Sequence, residues 1–155
     1  MTASAATQDA GPVFNDENET LLCVVGHMIP PSAEYGVPGA ADPTVFADIL
    51  RSVGRDQVAL RDALRSIDAR AGGRLASLPV DDQRRLLAVF RAAEPERAGV
   101  IEAVAARCYY RDDRVMASIG IEVRPPFPLG YDVEQGDWSL LEPVRARGKI
   151  YRDAG

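Results

Sequence analysis

Residues 95–109 read PERAGVIEAVAARCY, and this stretch has the residue spacing of an α-helix. Pro95 suits the first helical position, because its missing N–H would have no partner in the first turn. Apolar residues then recur three and four positions apart, which predicts a helix with one continuous apolar face. That face consists of Val100, Ile101, Val104, Ala105, Cys108 and Tyr109.

The same periodicity predicts five further helices, which start near Glu19, Asp42, Asp56, Leu78 and Asp112. Pro30 and Pro31 end the first of them, because a proline ring removes an N–H and collides with the preceding turn. No stretch shows sustained alternation of apolar and polar residues, the pattern typical of a strand. The predicted fold class is therefore all-α, a small bundle of about five to six helices followed by a long extended, proline-rich C-terminal arm.

We interpret the polar residues on these helices as structural. Arg61, Arg65 and Asp68 are predicted to lie on a solvated face of the third helix. Asp81 and Asp82 fall in the first turn of the fourth helix, where a carboxylate is favoured by the helix dipole, so we expect them to cap it. None of these spacings forms a general acid and base pair.

Three segments are predicted: a flexible leader over residues 1–16, a helical bundle domain over 17–120 and the arm over 121–155. The arm opens with RPPFPLGY, residues 124–131, and contains the only tryptophan of the chain. Disordered tails are poor in aromatic residues, whereas this one is rich in them. A long segment without secondary structure that is not disordered is usually functional.

Composition excludes some classes of partner. The formal net charge is -5 and the isoelectric point is about 4.9, so the protein's field repels phosphate backbones and anionic lipids. We therefore expect neither nucleic acid nor membrane as a partner. The sequence begins without a basic, apolar or twin-arginine signal and has no run long enough to span a bilayer, which predicts a cytoplasmic protein.

The sequence lacks the constellations that catalysis requires. His27 is the only histidine, and neither a nucleophile elbow nor a phosphate loop is present around the serines or around Gly36 and Gly39. Cys23 and Cys108 lie far apart on apolar helix faces, so we expect buried, reduced thiols. We predict no catalytic, cofactor-binding or metal-binding residue. The alternative enzyme would need His27 with tyrosine or carboxylate partners assembled by the fold.

Four motifs, taken in order, resemble one protein family. HMIPPSAEYGVPGA (27–40) ends a helix in an Ile-Pro step, and VFADIL (45–50) carries a Phe-x-acid-Ile pattern. LPVDDQRRLL (78–87) and CYYRDDRVMASIGIEVRPPFPLGY (108–131) follow, the latter with a tyrosine-bearing helix, an Ile-Gly turn and a Gly-Tyr tail. This order is similar to gluconate 2-dehydrogenase subunit 3, the non-catalytic small subunit of FAD-dependent oxidoreductases of the glucose-methanol-choline class.

The resemblance implies a subunit that binds, stabilises and helps mature a large flavoprotein that oxidises an alcohol or sugar hydroxyl. FAD is then expected in the partner subunit and no cofactor in this chain. In exported relatives the small subunit carries a twin-arginine signal; its absence here favours a cytoplasmic two-subunit enzyme.

Prolines lower the entropy that an arm loses on ordering, and large aromatic residues are common interface anchors, so the arm is suited to lie along a partner. The alternative is a self-standing helical binding or scaffold protein whose tail packs on its own core. The residues that we expect to contact the partner are His27, Pro30, Tyr35, Pro38, Arg124, Pro126, Phe127, Leu129, Tyr131, Trp138, Leu141 and Tyr151.

Overall fold

A computed structural model of the protein describes residues 17–125, 127–130 and 135–150. The chain divides into two compact units, Met1–Val123 and Arg124–Gly155. The described part of the first unit is helical, with short 3₁₀ turns at Gly54–Asp56 and Leu75–Ser77. Its helices are α1 (Asn18–Met28), α2 (Pro43–Ser52), α3 (Gln57–Ala71), α4 (Val80–Ala93), α5 (Pro95–Tyr109) and α6 (Asp113–Ser118).

Helix α5 is the helix around which the first unit is organised, because α1, α2, α3 and α4 all pack against it. Removal of apolar side chains from water is the main force that holds the helices together. It contributes about 25 cal/mol for each Å² of apolar surface buried. The largest fully buried side chains are Leu21, Ile49, Leu60, Leu64, Ile67, Leu75 and Ile101.

Local sequence signals set several helix ends. Asp42 caps α2, because its carboxylate accepts hydrogen bonds from the N–H groups of Thr44 (3.0 Å) and Val45 (3.4 Å), and Pro43 follows at the first helical position. Helix α3 ends at Gly72, whose φ of 68° lies in the left-handed region that glycine adopts without strain. These residues fix where the chain leaves one helix and enters the next.

The predicted all-α fold is confirmed. Within residues 17–125, 127–130 and 135–150 the structure contains no strand, and the only β-type pairing there is an isolated bridge between Ser32 and Val37. The predicted stop of α1 at the two prolines is also found, since α1 ends at Met28.

The prediction that Asp68 is solvated is wrong. Its carboxylate accepts hydrogen bonds from Thr20 Oγ1 on α1 (2.9 and 3.0 Å) and from the backbone N–H of Leu75 (2.9 Å). Thr20 is completely buried. Asp68 therefore connects α3 to α1 and to the turn after α3, because a buried hydroxyl and a buried N–H both need an acceptor.

The expected capping of α4 also needs correction. Asp81 and Asp82 do not cap α4, since its N-cap position is Pro79 and carries no side-chain hydrogen bond. Their carboxylates instead pair with Arg84 and Arg85 one turn later.

Of the two cysteines, only Cys108 is fully buried, whereas Cys23 is half-buried at the edge of the core; both thiols are free.

The described part of the second unit contains one short helical segment within the arm that the sequence predicts. A 3₁₀ turn at Trp138–Leu141 leads directly into a short helix, α7 (Glu142–Ala146). Asp137 caps the 3₁₀ turn, because its carboxylate accepts hydrogen bonds from the N–H (2.9 Å) and hydroxyl (2.6 Å) of Ser139. Among all the helices that the structure describes, none has the length and apolar character needed to cross a bilayer.

Candidate partner-binding residues

The loop between α1 and α2 is closed by its own backbone. Ser32 and Val37 exchange two N–H to carbonyl hydrogen bonds of 3.1 Å, and the N–H of Ala40 donates to the carbonyl of Ile29 (2.8 Å). The hydroxyl of Ser32 also accepts from the N–H of Tyr35 (3.3 Å). These bonds fix a compact hairpin-like loop, because they satisfy backbone N–H and carbonyl groups within the loop itself.

Two glycines make this loop possible. Gly36 has a φ of 63°, which suits the tight turn between Ser32 and Val37. At Gly39 an added Cβ would lie 2.8 Å from the carbonyl oxygen of Ile29 and from the nitrogen of Pro31. Only glycine fits there without moving backbone, so the loop passes close to the backbone of Ile29 and Pro31.

The tip of the loop presents Tyr35, whose side chain is 69% exposed. Pro30 is also exposed, while Pro38 is half-buried. A large ring held at the tip of a loop with fixed backbone bonds loses little conformational freedom when it enters a partner's pocket. Three of the predicted partner-binding residues thus lie in one loop.

His27 lies at the end of α1 and contacts α4. Its Nε2 is 2.7 Å from Oε1 of Gln83, and the thiol of Cys23 donates to the same oxygen (3.2 Å). The amide nitrogen of Gln83 in turn donates to the carbonyl of Leu78 (2.8 Å). Because a carbonyl can only accept, Gln83 must use its nitrogen there and its oxygen towards α1, which places a proton on Nε2 of His27.

This arrangement does not activate a nucleophile. Burial raises the pKa of the Cys23 thiol, and the negative charge of Asp68 raises it further. Burial also raises the pKa of Cys108. A thiol of raised pKa carries little thiolate and reacts slowly. The contacts of His27, Cys23 and Gln83 join α1 to α4.

Ion pairs connect α2 to the end of α5 and to α6. Arg111 donates from Nε to Asp48 (2.6 Å), and Arg114 donates to both Asp42 (2.8 Å) and Asp112 (2.8 Å). Hydrogen bonds from these guanidinium groups hold the pKa of Asp42, Asp48 and Asp112 below the usual range. The acid of the Phe-x-acid-Ile pattern, Asp48, thus has a structural partner within this chain.

Another charged cluster surrounds Glu94 at the start of α5. Ser66 (2.9 Å) and Arg70 (2.8 Å), both from α3, donate to its carboxylate, as does Arg97 (2.5 Å). Hydrogen bonds from Arg97, Arg70 and Ser66, in that order of size, lower the pKa of Glu94 to about 2. The cluster links α3 to α5 at neutral pH.

In the arm, Arg124 folds over the turn that follows it. Its guanidinium donates to the carbonyl of Gly130 (2.6 Å), which closes the turn around Phe127 and Leu129. Those two side chains are 85% and 80% exposed. The turn therefore displays two large apolar groups and is closed by the hydrogen bond from Arg124 to Gly130.

Further along the arm, Trp138 is 61% exposed and its indole N–H donates to Gln135 (3.4 Å). Leu141 follows one turn later and is also exposed, as is Leu140. Residues three apart share a helix face, so Trp138 and Leu141 present a short apolar surface. Three predicted residues, Pro126, Tyr131 and Tyr151, lie outside the residues that the structure describes.

Gln83 was noted in the sequence only as part of a motif, yet it is one of two polar side chains that are buried in the described chain. A glutamine next to two arginines in a helix carries no signal of burial. Only the position of Gln83 seven residues before Phe90, on the apolar side of α4, indicates that its side chain is buried.

Within residues 17–125, 127–130 and 135–150, no group of three or more His, Cys, Asp or Glu side chains is arranged to hold a metal ion. Comparison of the chain with models of protein families, with curated proteins and with solved structures gave no match.

Proposed function

We propose that this chain is the non-catalytic small subunit of a FAD-dependent oxidoreductase of the glucose-methanol-choline class. It would bind, stabilise and help mature a large catalytic subunit that oxidises an alcohol or sugar. The flavin would lie in that partner, and this chain would contribute binding surface. The order of the four sequence motifs supports the choice of partner.

The exposure of the large apolar side chains in the arm carries the proposal. Phe127, Leu129 and Trp138 all project into solvent although exposed aromatic surface is unfavourable in an isolated protein. Such residues are the common anchors of protein interfaces. Tyr35 offers a further anchor at the tip of its closed loop.

The proposal includes a cytoplasmic complex. Both cysteines of the chain are free thiols, which fits a reducing compartment.

The test is a pull-down of the tagged chain from its native cells, with mass spectrometry and an absorbance spectrum of the eluate. A yellow eluate containing one large flavoprotein is the expected result. A colourless chain that elutes alone would contradict the proposal. The self-standing helical protein with a tail packed on its own core would then be the better hypothesis.

A further inference from the structure

Every arginine of the helical bundle is engaged in an ion pair. From Arg51 to Arg114, each guanidinium group has at least one carboxylate partner from the same unit. The described surface of the bundle therefore carries no unbalanced positive charge, and nothing on it selects an acidic partner.

The end of the arm has the opposite balance. Four basic residues and no acidic residue lie between positions 143 and 152. Arg145 pairs with Glu142 (2.8 Å), but both side chains are exposed, and such a pair holds its members weakly. Arg147 is exposed and pairs with no carboxylate among the residues that the structure describes. This stretch therefore has an excess of positive charge, in a chain whose net charge is -5.

An apolar strip precedes and adjoins these charges. It consists of Trp138, Leu141 and Val144, which recur every three residues along the 3₁₀ turn and α7. Residues three apart share one side of a helix, and all three side chains are exposed. Protein interfaces typically combine an apolar centre, rich in aromatic residues, with a polar rim, and arginine is enriched in them. The strip and the basic residues after it have this composition.

The helical segment is held in shape by its own hydrogen bonds. Asp137 caps its start through Ser139. At its end the N–H of Gly148, which has a φ of 68°, donates to the carbonyl of Arg145 (3.1 Å). A segment that is already folded loses less conformational entropy on binding than a flexible one, so even a short surface can contribute to affinity.

We propose that residues 138–150 dock on a face of the large flavoprotein subunit where carboxylates border an apolar pocket. The apolar strip would enter the pocket, and Arg145 and Arg147 would pair with the carboxylates at its edge. Charge complementarity selects this kind of surface, because guanidinium groups form strong, often bidentate hydrogen bonds with carboxylates. The inference rests on the proposed function and adds to it the chemistry of the partner's docking face.

An anionic membrane is the other surface that combines negative charge with an apolar interior. Two observations disfavour it. The net charge of -5 opposes attraction of the chain to an anionic bilayer. Binding to a bilayer also scales with the apolar area that is buried, and the apolar strip has only three side chains. A protein face is therefore the better match.

The test uses the flavoprotein that the tagged full-length chain captures, and measures its affinity for variants of the chain by biolayer interferometry. Arg147→Glu should weaken binding at least about tenfold, because it places like charges opposite each other. Arg147→Lys keeps the charge and should stay within about threefold of the unchanged chain. Arg55→Glu, at an exposed position of the bundle, changes the net charge by the same amount and should stay within about twofold.

The outcomes separate this inference from the proposed function. Equal binding of the Arg147→Glu and Arg55→Glu chains would overturn the inference and leave the proposed function in place. Failure of the unchanged chain to capture any flavoprotein would overturn both. Vesicles of phosphatidylserine and phosphatidylcholine are the second probe. If they bind the unchanged chain but not Arg147→Glu, while both chains capture the flavoprotein equally, the segment meets a bilayer and the inference is wrong.

Discussion

Oε1 of Gln83 lies 2.7 Å from Nε2 of His27, although 56 residues separate the two in sequence. The same amide bonds Cys23 and the carbonyl of Leu78. One buried side chain therefore satisfies polar groups from α1 and from the turn before α4.

Replacing Gln83 by Leu should lower the free energy of unfolding by about 1–3 kcal/mol, because the carbonyl of Leu78 and the N–H of His27 would lose their partner. Urea denaturation measures the effect. Arg85→Leu, on the exposed side of α4, is the control and should stay within about 0.5 kcal/mol of the unchanged protein. Equal effects at the two positions would show that the Gln83 contacts contribute nothing specific.

A matched pair of glycine substitutions tests the loop geometry. Gly39→Ala should destabilise the protein by about 1–3 kcal/mol, because its Cβ would lie 2.8 Å from backbone atoms of Ile29 and Pro31. Gly99→Ala in α5 meets nothing within 4 Å and should stabilise it by up to about 1 kcal/mol. Thermal unfolding of both variants measures the two changes in stability, which should be opposite in sign. A stabilising Gly39→Ala would show that the loop can move away from the backbone of Ile29 and Pro31.

Glu94 should make the stability of the protein depend on pH. Its pKa falls from the ordinary 4.5 to about 2 in the folded protein, so its pairing with Arg97, Arg70 and Ser66 stabilises the fold above pH 4.5. That contribution is lost as the pH falls from about 4.5 towards 2.

The difference in unfolding free energy between the unchanged protein and Glu94→Gln should therefore shrink with acidification between neutral pH and about pH 3. Chemical denaturation at several pH values measures it. Glu96→Gln removes an exposed carboxylate nearby and serves as the control. A difference that grows on acidification would contradict the assignment.

The anchors in the arm can be tested together. Phe127→Ala, Leu129→Ala and Trp138→Ala in one chain should reduce co-purification of the flavoprotein at least about tenfold, because aromatic anchors commonly carry most of an interface's energy. Circular dichroism should show an unchanged bundle. The control replaces Val58 and Val89, exposed apolar residues of α3 and α4 that the proposal does not use. Full recovery of the partner by the triple variant would contradict the proposal that these arm residues bind the flavoprotein.

Trp138 is the only tryptophan, so its fluorescence reports on the arm alone. With 61% of its side chain exposed, we expect acrylamide to quench it nearly as well as a free indole derivative. The self-standing alternative, with the tail packed on its own core, instead predicts a protected ring and weak quenching. Steady-state quenching of the purified chain distinguishes these two cases.

How much of the molecule could be predicted depends on the range of the interaction. The start of α2 at Asp42 and Pro43 and the stop of α1 before its prolines arise within a few residues. Local backbone preferences and apolar periodicity therefore determined the helices and the all-α class from sequence alone. The short helical segment that begins at Trp138 was not predicted, because it has too few residues to show a helical period.

Tertiary structure alone decided which polar residues became buried and what they bind. Asp68 and Gln83 sit in ordinary helical sequence, and their partners Thr20 and His27 lie 48 and 56 residues away. A polar side chain is buried only where the packing of other helices supplies its hydrogen bonds.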